Sequence, residues 1–240
     1  MKTLLIEERD DRVVVTLHRP ETRNAINAEM VRELHAVCEL LESRPRPLLL
    51  TGHAGTFAAG ADIGELRSRG RDEALQGINS RLFDRLSRLP LPTVAAVDGH
   101  ALGGGAELAY ACDVRIAGPG AVFGNPEPGL GILAAAGACW RLGELIGRSA
   151  AKQVLLAGKT LSASETHRLG LVMDVVAEPV RHAHQVIDRM GRLSVTALRM
   201  TKLVLDAQGV HPLADDLAQA VLFDSQDKQD RMSAFLERRR

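Results

Sequence analysis

Aromatic residues, paired cysteines and an excess of charge are all scarce in this chain. Phe, Trp and Tyr make up 3% of its 240 residues, which leaves few rings on which nucleic-acid bases could stack. Lys and Arg number 30, as do Asp and Glu, so net charge favours neither nucleic acid nor a membrane surface as a partner. The three cysteines, Cys38, Cys112 and Cys139, lie far apart without a CxxC pair. Neither a metal site nor a disulfide framework is therefore indicated.

Long apolar segments are also missing. The apolar run at residues 92–117 contains Asp98, His100, Glu107 and Asp113 and is too polar to span a membrane. Acidic residues at positions 7 and 8 come too early for a signal peptide. We therefore expect a cytoplasmic protein. Hydrophobic residues still make up 45% of the chain, enough for the core of one large domain or of one domain with a helical appendage.

Apolar patterns typical of strands and helices alternate along the first half of the chain. The predicted strands are residues 4–7, 13–17, 48–51, 94–97, 114–117 and 172–176. The predicted helices are residues 28–41, 72–89, 106–112, 139–146, 150–157, 163–168, 180–208 and 213–240. Alternation of this kind predicts an α/β fold with parallel strand pairing. After residue 137 the pattern becomes mostly helical.

A run of three glycines, Gly103-Gly104-Gly105, connects a predicted buried strand to a predicted apolar helix. The first turn of a helix has unpaired backbone N–H groups and the positive end of the helix dipole, so it suits a developing negative charge. Glu107 lies in this turn among apolar residues. Burial of a carboxylate costs free energy unless the group is paired or used. Glu107 is therefore a candidate catalytic residue, although a glutamate that only complements the dipole is the alternative.

Two other segments carry candidate site residues. The sequence FAAGADI at residues 57–63 places small side chains directly after a predicted strand, where a backbone N–H could face a ligand oxygen. Within it, Asp62 is a candidate N-cap for the next helix. In the segment FGNPEPG at residues 123–129, Glu127 is held between two prolines, which restrict the backbone.

At these segments the chain resembles the enoyl-CoA hydratase/isomerase (crotonase) family. The matching pieces occur in the family's order and cover nearly the whole chain. They are Arg19-Pro20, Asn24-Ala25, FAAGADI, DGHALGGGAELAYACD at residues 98–113, FGNPE, and MSAFLERR at residues 232–239. The resemblance implies a ClpP/crotonase spiral of ββα units, a C-terminal helical region used for trimer formation, and acyl-CoA thioester substrates of fatty acid metabolism.

The resemblance also implies an active site. The backbone N–H groups of Ala59 and Gly104 match the family's oxyanion hole, which would hold the thioester oxygen in an enolate-like state. Substrate binding would involve these residues together with Gly60, Ala61 and Asp62, and Arg23 could meet the phosphates of CoA. No metal and no separate cofactor is implied, because CoA arrives as part of the substrate.

Glu107 and Glu127 match the family's two catalytic glutamates. In a hydratase, Glu107 would take a proton from water as it adds to the β-carbon, and Glu127 would give a proton to the α-carbon. Their proximity should separate their titrations into one acid and one base. Because many family members lack one of the two, the presence of both favours an enoyl-CoA hydratase, which forms a 3-hydroxyacyl-CoA.

The segment from Leu133 to Cys139 departs from the family's Pro-Gly-rich turn, with alanine at positions where the family has glycine. This departure leaves other functions open: a 3,2-enoyl-CoA isomerase, another crotonase-type lyase or hydrolase, or an acyl-CoA-binding or RNA-binding member without turnover. A Rossmann dehydrogenase is disfavoured because no GxGxxG follows a first strand.

The predicted organisation has two parts. Residues 1–185 would form the spiral core with the CoA site and the active site. Residues 186–240 would form the helical region for oligomerisation, giving a homotrimer or a dimer of trimers.

Overall fold

Two sheets surrounded by helices form the fold in the computed structural model, which describes residues 1–207 and 210–237. The strands are β1 Leu4–Glu8, β2 Val13–Leu17, β3 Leu48–Gly52, β4 Thr93–Val97, β5 His100–Leu102, β6 Val114–Ala117, β7 Val122–Gly124, β8 Leu161–Ser162 and β9 Asp174–Val175. The α-helices are α1 Ala28–Ser43, α2 Ile63–Ser68, α3 Arg71–Leu75, α4 Ile78–Ser87, α5 Gly104–Tyr110, α6 Gly143–Ile146, α7 Arg148–Ala157, α8 Ala163–Arg168, α9 Pro179–Met190, α10 Val195–Asp206, α11 Leu213–Phe223 and α12 Gln226–Glu237. Short 3-10 turns cover Pro20–Thr22 and Glu127–Leu130, and a π-helical turn covers Ala138–Leu142.

The larger sheet has six strands in the order β1-β2-β3-β4-β6-β9. Its first pair, β1 and β2, is an antiparallel hairpin, and the other neighbours are parallel. Every residue of β4 is buried, as expected for a central parallel strand covered on both faces. Helices α1, α4 and α5 contribute to the larger apolar cluster on one face, and α9 covers the other face. The predicted parallel α/β architecture is confirmed.

The smaller sheet, β5-β7-β8, positions the chemistry-bearing segments. Leu102 pairs with Gly124 across the parallel strands β5 and β7. On the other side of β5, Ala58 forms an isolated bridge with Ala101. This pairing brings together the segment 57–61, the glycine turn at the end of β5 and the chain that leads from β7 to Glu127.

Several predicted helices differ from the observed ones. The predicted helix 72–89 is two helices, α3 and α4, because Gly77 adopts a positive φ of 60° between them. The predicted helix 180–208 breaks after Met190, and Ser194 caps a new helix, α10, by accepting from the Ala197 N–H. Residue 208, the end of that prediction, and residues 238–240, the end of the predicted C-terminal helix, lie outside the described residues.

The predicted boundary between residues 185 and 186 falls within α9, which runs from Pro179 to Met190. Ala183, Val186 and Ile187 of this helix pack as one face on the larger sheet. A division of the chain therefore fits the structure only after Met190. Beyond that point, α10 remains attached to the core by Lys202, whose Nζ lies 2.6 Å from Asp113 Oδ2.

Candidate active site

Glu107 projects from the first turns of α5, where only 3% of the residue is exposed. Its Oε1 accepts hydrogen bonds from the backbone N–H groups of Ala136 at 2.8 Å and Ala138 at 3.1 Å. Burial raises the pKa of Glu107 to about 7, the N–H of Ala138 opposes this change, and the charge of Glu127 adds to it. A carboxyl group with this pKa can hold or release a proton near neutral pH.

Glu127 begins the 3-10 turn after Pro126 and is 7% exposed. Its Oε1 lies 3.0 Å from the position that a Cβ on Gly103 would occupy, so the carboxyl group rests against the glycine turn. Its Oε2 is buried and has no hydrogen-bond partner among the described residues. Burial raises the pKa of Glu127 above its usual range. The two glutamates thus share one site, and burial favours retention of a proton on both.

Asn125 lies two residues before Glu127 and contacts Tyr110 of α5. The Tyr110 hydroxyl donates to Asn125 Oδ1 at 3.2 Å, and the Asn125 amide lowers the pKa of Glu127 against the effect of burial. Both Tyr110 and Asn125 are almost fully buried. Sequence analysis singled out neither residue for a role beside Glu127.

The glycine turn exposes a backbone donor at the start of α5. Gly103 adopts φ 49°, and its N–H donates to the Gly124 carbonyl at 2.8 Å. The next N–H, that of Gly104, has no acceptor in the part of the chain that the structure describes. It lies at a helix N-terminus, where the dipole favours negative charge.

The structure disagrees with Ala59 as the second donor, because its N–H already donates to the Arg23 carbonyl at 3.0 Å. The neighbouring residue Ala61 pairs with Ile26 in a parallel bridge, in which Gly60 and Asp62 form the two hydrogen bonds. The Ala61 N–H therefore points away from Ile26, and no described residue accepts from it. Its nitrogen lies 3.4 Å from the position that a Cβ on Gly104 would occupy. Ala61, rather than Ala59, thus places a free N–H beside that of Gly104.

Both glutamates and both free N–H groups line one cavity of about 520 Å³. Most of its remaining wall is apolar, with Ile63, Leu66, Ile78, Leu130, Ile132 and Leu133 among its side chains. Ala59 and Gly60 also line it, whereas Arg23 and Asp62 do not. Asp62 instead caps α2 through the N–H groups of Gly64 and Glu65, and forms an ion pair with Arg19 at 3.0 Å. Asp62 therefore shapes the loop that carries Ala61 and does not face the cavity.

Comparison with known proteins identifies the family of this chain. The family model for enoyl-CoA hydratase/isomerase matches residues 8–240. A probable enoyl-CoA hydratase of Mycobacterium bovis is 37% identical over 248 residues, covering 99% of this chain and 96% of the relative. A 2,3-dehydroadipyl-CoA hydratase of Escherichia coli is 35% identical, covering 100% and 97%. The crystal structure of an enoyl-CoA hydratase from Thermoplasma volcanium has a TM-score of 0.90 at 33% identity, covering 97% and 96%.

The chain belongs to the enoyl-CoA hydratase/isomerase family. The crotonase fold predicted from the motifs is thereby confirmed. The segment that departs from the family's usual turn, Leu133 to Cys139, proves to hold Glu107, because two of its N–H groups bind the carboxylate. Sequence reasoning missed this role, since backbone donors leave no signal in side-chain identity.

Two further tests concern metals and membranes. In residues 1–207 and 210–237, no group of three or more His, Cys, Asp or Glu side chains is arranged to hold a metal ion. Across the same described residues, no helix has the length and apolar character needed to cross a bilayer.

Proposed function

We propose that this member of the enoyl-CoA hydratase/isomerase family is an enoyl-CoA hydratase. It would add water across the 2,3 double bond of a 2-enoyl-CoA thioester and release a 3-hydroxyacyl-CoA. The observation that carries the proposal is the convergence of Glu107, Glu127 and two unpartnered N–H groups on one cavity. Hydration needs these parts: donors for the thioester oxygen, and two carboxyl groups that exchange protons with one water and with the substrate.

The oxyanion hole in this proposal consists of the N–H groups of Ala61 and Gly104. As water adds to the β-carbon, negative charge moves onto the thioester oxygen. Two fixed N–H donors, one of them at a helix N-terminus, stabilise this enolate-like state more than the ground state. Because the donors are already in place, no reorganisation is needed when the charge develops.

Proton transfer is assigned to the two glutamates. Glu107 takes a proton from the water as its oxygen bonds to the β-carbon, and Glu127 gives a proton to the α-carbon. The raised pKa of each group favours retention of protons in the pair, because two ionised carboxylates in one buried site repel each other. A singly protonated pair contains the acid and the base that hydration requires.

The test uses crotonyl-CoA and the loss of its enoyl thioester absorbance. We expect the wild-type protein to consume crotonyl-CoA, and Glu107→Gln and Glu127→Gln each to lower kcat by at least about 10²-fold, the lower end for one proton-transfer group. Glu39→Gln, on the exposed face of α1, is the matched control and should retain full activity. Full turnover in either cavity variant would contradict the proposal. Binding of crotonyl-CoA without turnover by the wild-type protein would instead identify a member that binds without catalysis.

A 3,2-enoyl-CoA isomerase is the second candidate. It is favoured by the unpartnered Oε2 of Glu127, since one carboxyl group with a free oxygen can move a proton between two carbons of a bound chain. Incubation with 3-hexenoyl-CoA separates the two functions: an isomerase forms 2-hexenoyl-CoA and stops, whereas a hydratase does not shift the double bond.

The assembly proposed for this protein is a homotrimer or a dimer of trimers built through its C-terminal helices. Support comes from α11 and α12, which expose large apolar side chains. Reaction without an added cofactor and a cytoplasmic location remain predictions from the sequence. The first prediction is compatible with a substrate that brings its own CoA.

A further inference from the structure

One polar side chain of the cavity has no partner among the described residues and no role in the proposed chemistry. The other polar side chains of the wall outside the catalytic pair are already engaged. Arg69 bonds to Glu65 at 3.3 Å, Glu73 accepts from the Gly70 N–H at 2.8 Å, and Ser80 donates to the Gly77 carbonyl at 3.1 Å. Asn79 lines the same cavity, yet its amide has no hydrogen-bond partner within the part of the chain that the structure describes.

Asn79 lies close to the donors proposed for the thioester oxygen. It is the second residue of α4, which begins directly after Gly77. Its Nδ2 is 3.6 Å from the position that a Cβ on Gly104 would occupy, and the Ala61 nitrogen is 3.4 Å from that position. The amide therefore lies on the cavity wall beside both proposed donors.

The two ends of this amide are in different environments. Among the described residues Oδ1 is buried without a partner, whereas Nδ2 lies toward Gly104, which lines the same cavity. The Asn79 amide therefore presents a hydrogen-bond donor to the cavity, and such a donor pairs with an acceptor oxygen of a ligand. A purely aliphatic chain in this place would cover the N–H without pairing it, which costs free energy. Sites built to hydrogen-bond a substrate discriminate strongly against analogues that lack the partner atom.

We propose that Asn79 is a specificity-determining residue whose Nδ2 donates a hydrogen bond to an oxygen of the acyl chain. The preferred substrates are then 2-enoyl-CoA thioesters that carry a carbonyl or carboxylate oxygen beyond the double bond. The neighbouring apolar side chains, Ile78, Ile132 and Leu133, pack against the carbon atoms of such a chain. This inference rests on the proposed hydratase function and adds to it the class of acyl group.

The experiment compares three thioesters of equal chain length: 2-hexenoyl-CoA, 5-oxo-2-hexenoyl-CoA and 2,3-dehydroadipyl-CoA. The first lacks a chain oxygen, the second has a neutral one, and the third has a carboxylate. We expect the wild-type protein to prefer at least one of the oxygen-bearing thioesters by kcat/KM. In Asn79→Leu, that kcat/KM should fall about 5- to 150-fold, the equivalent of about 1–3 kcal/mol, while the value for 2-hexenoyl-CoA stays the same or rises. The substrate that shows the larger fall tells whether the oxygen is neutral or charged.

A structural role for Asn79 would lower turnover of all three thioesters equally, whereas recognition of a chain oxygen would change their ranking. An equal loss on all three thioesters in Asn79→Leu, or a wild-type protein that prefers 2-hexenoyl-CoA, would overturn the inference. Asn79→Asp, of the same shape but with an acceptor in place of the donor, should reduce turnover of the carboxylate substrate most. Arg81→Gln, at an exposed position of α4 outside the cavity wall, is the control and should keep the wild-type ranking. A wild-type protein inactive on all three substrates would instead count against the proposed hydratase function.

Discussion

Glu107 places an ionisable group in the core, where its protonation affects the stability of the fold. Its pKa rises from an ordinary value of 4.5 to about 7, so the folded protein binds this proton more tightly than the unfolded chain. The resulting stabilisation is fully present below pH 4.5 and is lost as the pH rises through about 7. The difference corresponds to about 3 kcal/mol. The proposed catalytic group is thus a source of instability at alkaline pH.

Glu107→Gln tests this linkage. A glutamine can keep an oxygen toward the Ala136 and Ala138 N–H groups but carries no charge. We expect the free energy of unfolding to exceed that of the wild-type protein by up to about 3 kcal/mol at pH 8 and to match it at pH 4. Urea unfolding at the two pH values measures the difference, with Glu39→Gln as the exposed control. The same change in stability at both pH values would refute this account of the Glu107 carboxyl group.

In the glycine turn between β5 and α5, adjacent glycines have different roles: one allows close packing and the other leaves space in the cavity. A Cβ on Gly105 would lie 2.3 Å from the Ala58 carbonyl oxygen and 2.7 Å from the Ala58 Cβ, closer than packed atoms allow. A Cβ on Gly104 would have only ordinary contacts, the nearest at 3.4 Å from the Ala61 nitrogen. Gly105 is therefore required for close packing, whereas Gly104 keeps open the space in front of the N–H donors.

These two positions predict opposite outcomes for the same substitution. Gly105→Ala should lower the free energy of unfolding by about 1–3 kcal/mol or more, as overpacking does. Gly104→Ala should keep the melting temperature of the wild-type protein but lose about 10²-fold in kcat, as expected when one oxyanion donor is blocked. Thermal unfolding and the crotonyl-CoA assay give both quantities. A fully active Gly104→Ala variant would show that the oxygen binds elsewhere.

Sequence patterns predicted those helices and strands whose caps and apolar periods lie within the element itself. Helix α1 was predictable because Asn27 provides its cap and apolar residues recur on one face. The break at Gly77 was missed because an isolated glycine is tolerated within an amphipathic pattern. Strands β5 and β7 have three residues each, too few for a period to emerge, yet their register brings Glu127 to the glycine turn.

The candidate site was predictable in its side chains but not in its backbone donors. Glu107 and Glu127 stand out as carboxylates in apolar or rigid surroundings. Ala59 and Ala61, by contrast, are identical residues on either side of Gly60, and only pairing with Ile26 decides which N–H is free. Such pairing joins distant parts of the chain and leaves no local pattern.

At the scale of the whole molecule, the C-terminal helices expose more apolar surface than a monomer can easily keep in water. The side chains concerned are all more than half exposed: Leu213, Leu217, Val221, Phe223, Met232, Phe235 and Leu236. Large contiguous apolar patches on soluble proteins mark interaction sites. Burial of one such side chain contributes about 1.5–3 kcal/mol, so several of them can sustain an interface between copies of this chain.

Leu217 and Val221 lie four residues apart on α11 and therefore share one face of the helix. We expect the wild-type protein to have a mass of three or six chains of 25.9 kDa in multi-angle light scattering. The double variant Leu217→Asp, Val221→Asp should shift toward one chain, because a carboxylate buried in an apolar interface without a partner costs several kcal/mol. Leu156→Asp changes an even more exposed leucine, on α7, and should leave the mass unchanged. A monomeric wild-type protein, or a double variant of unchanged mass, would place the interface away from this face of α11.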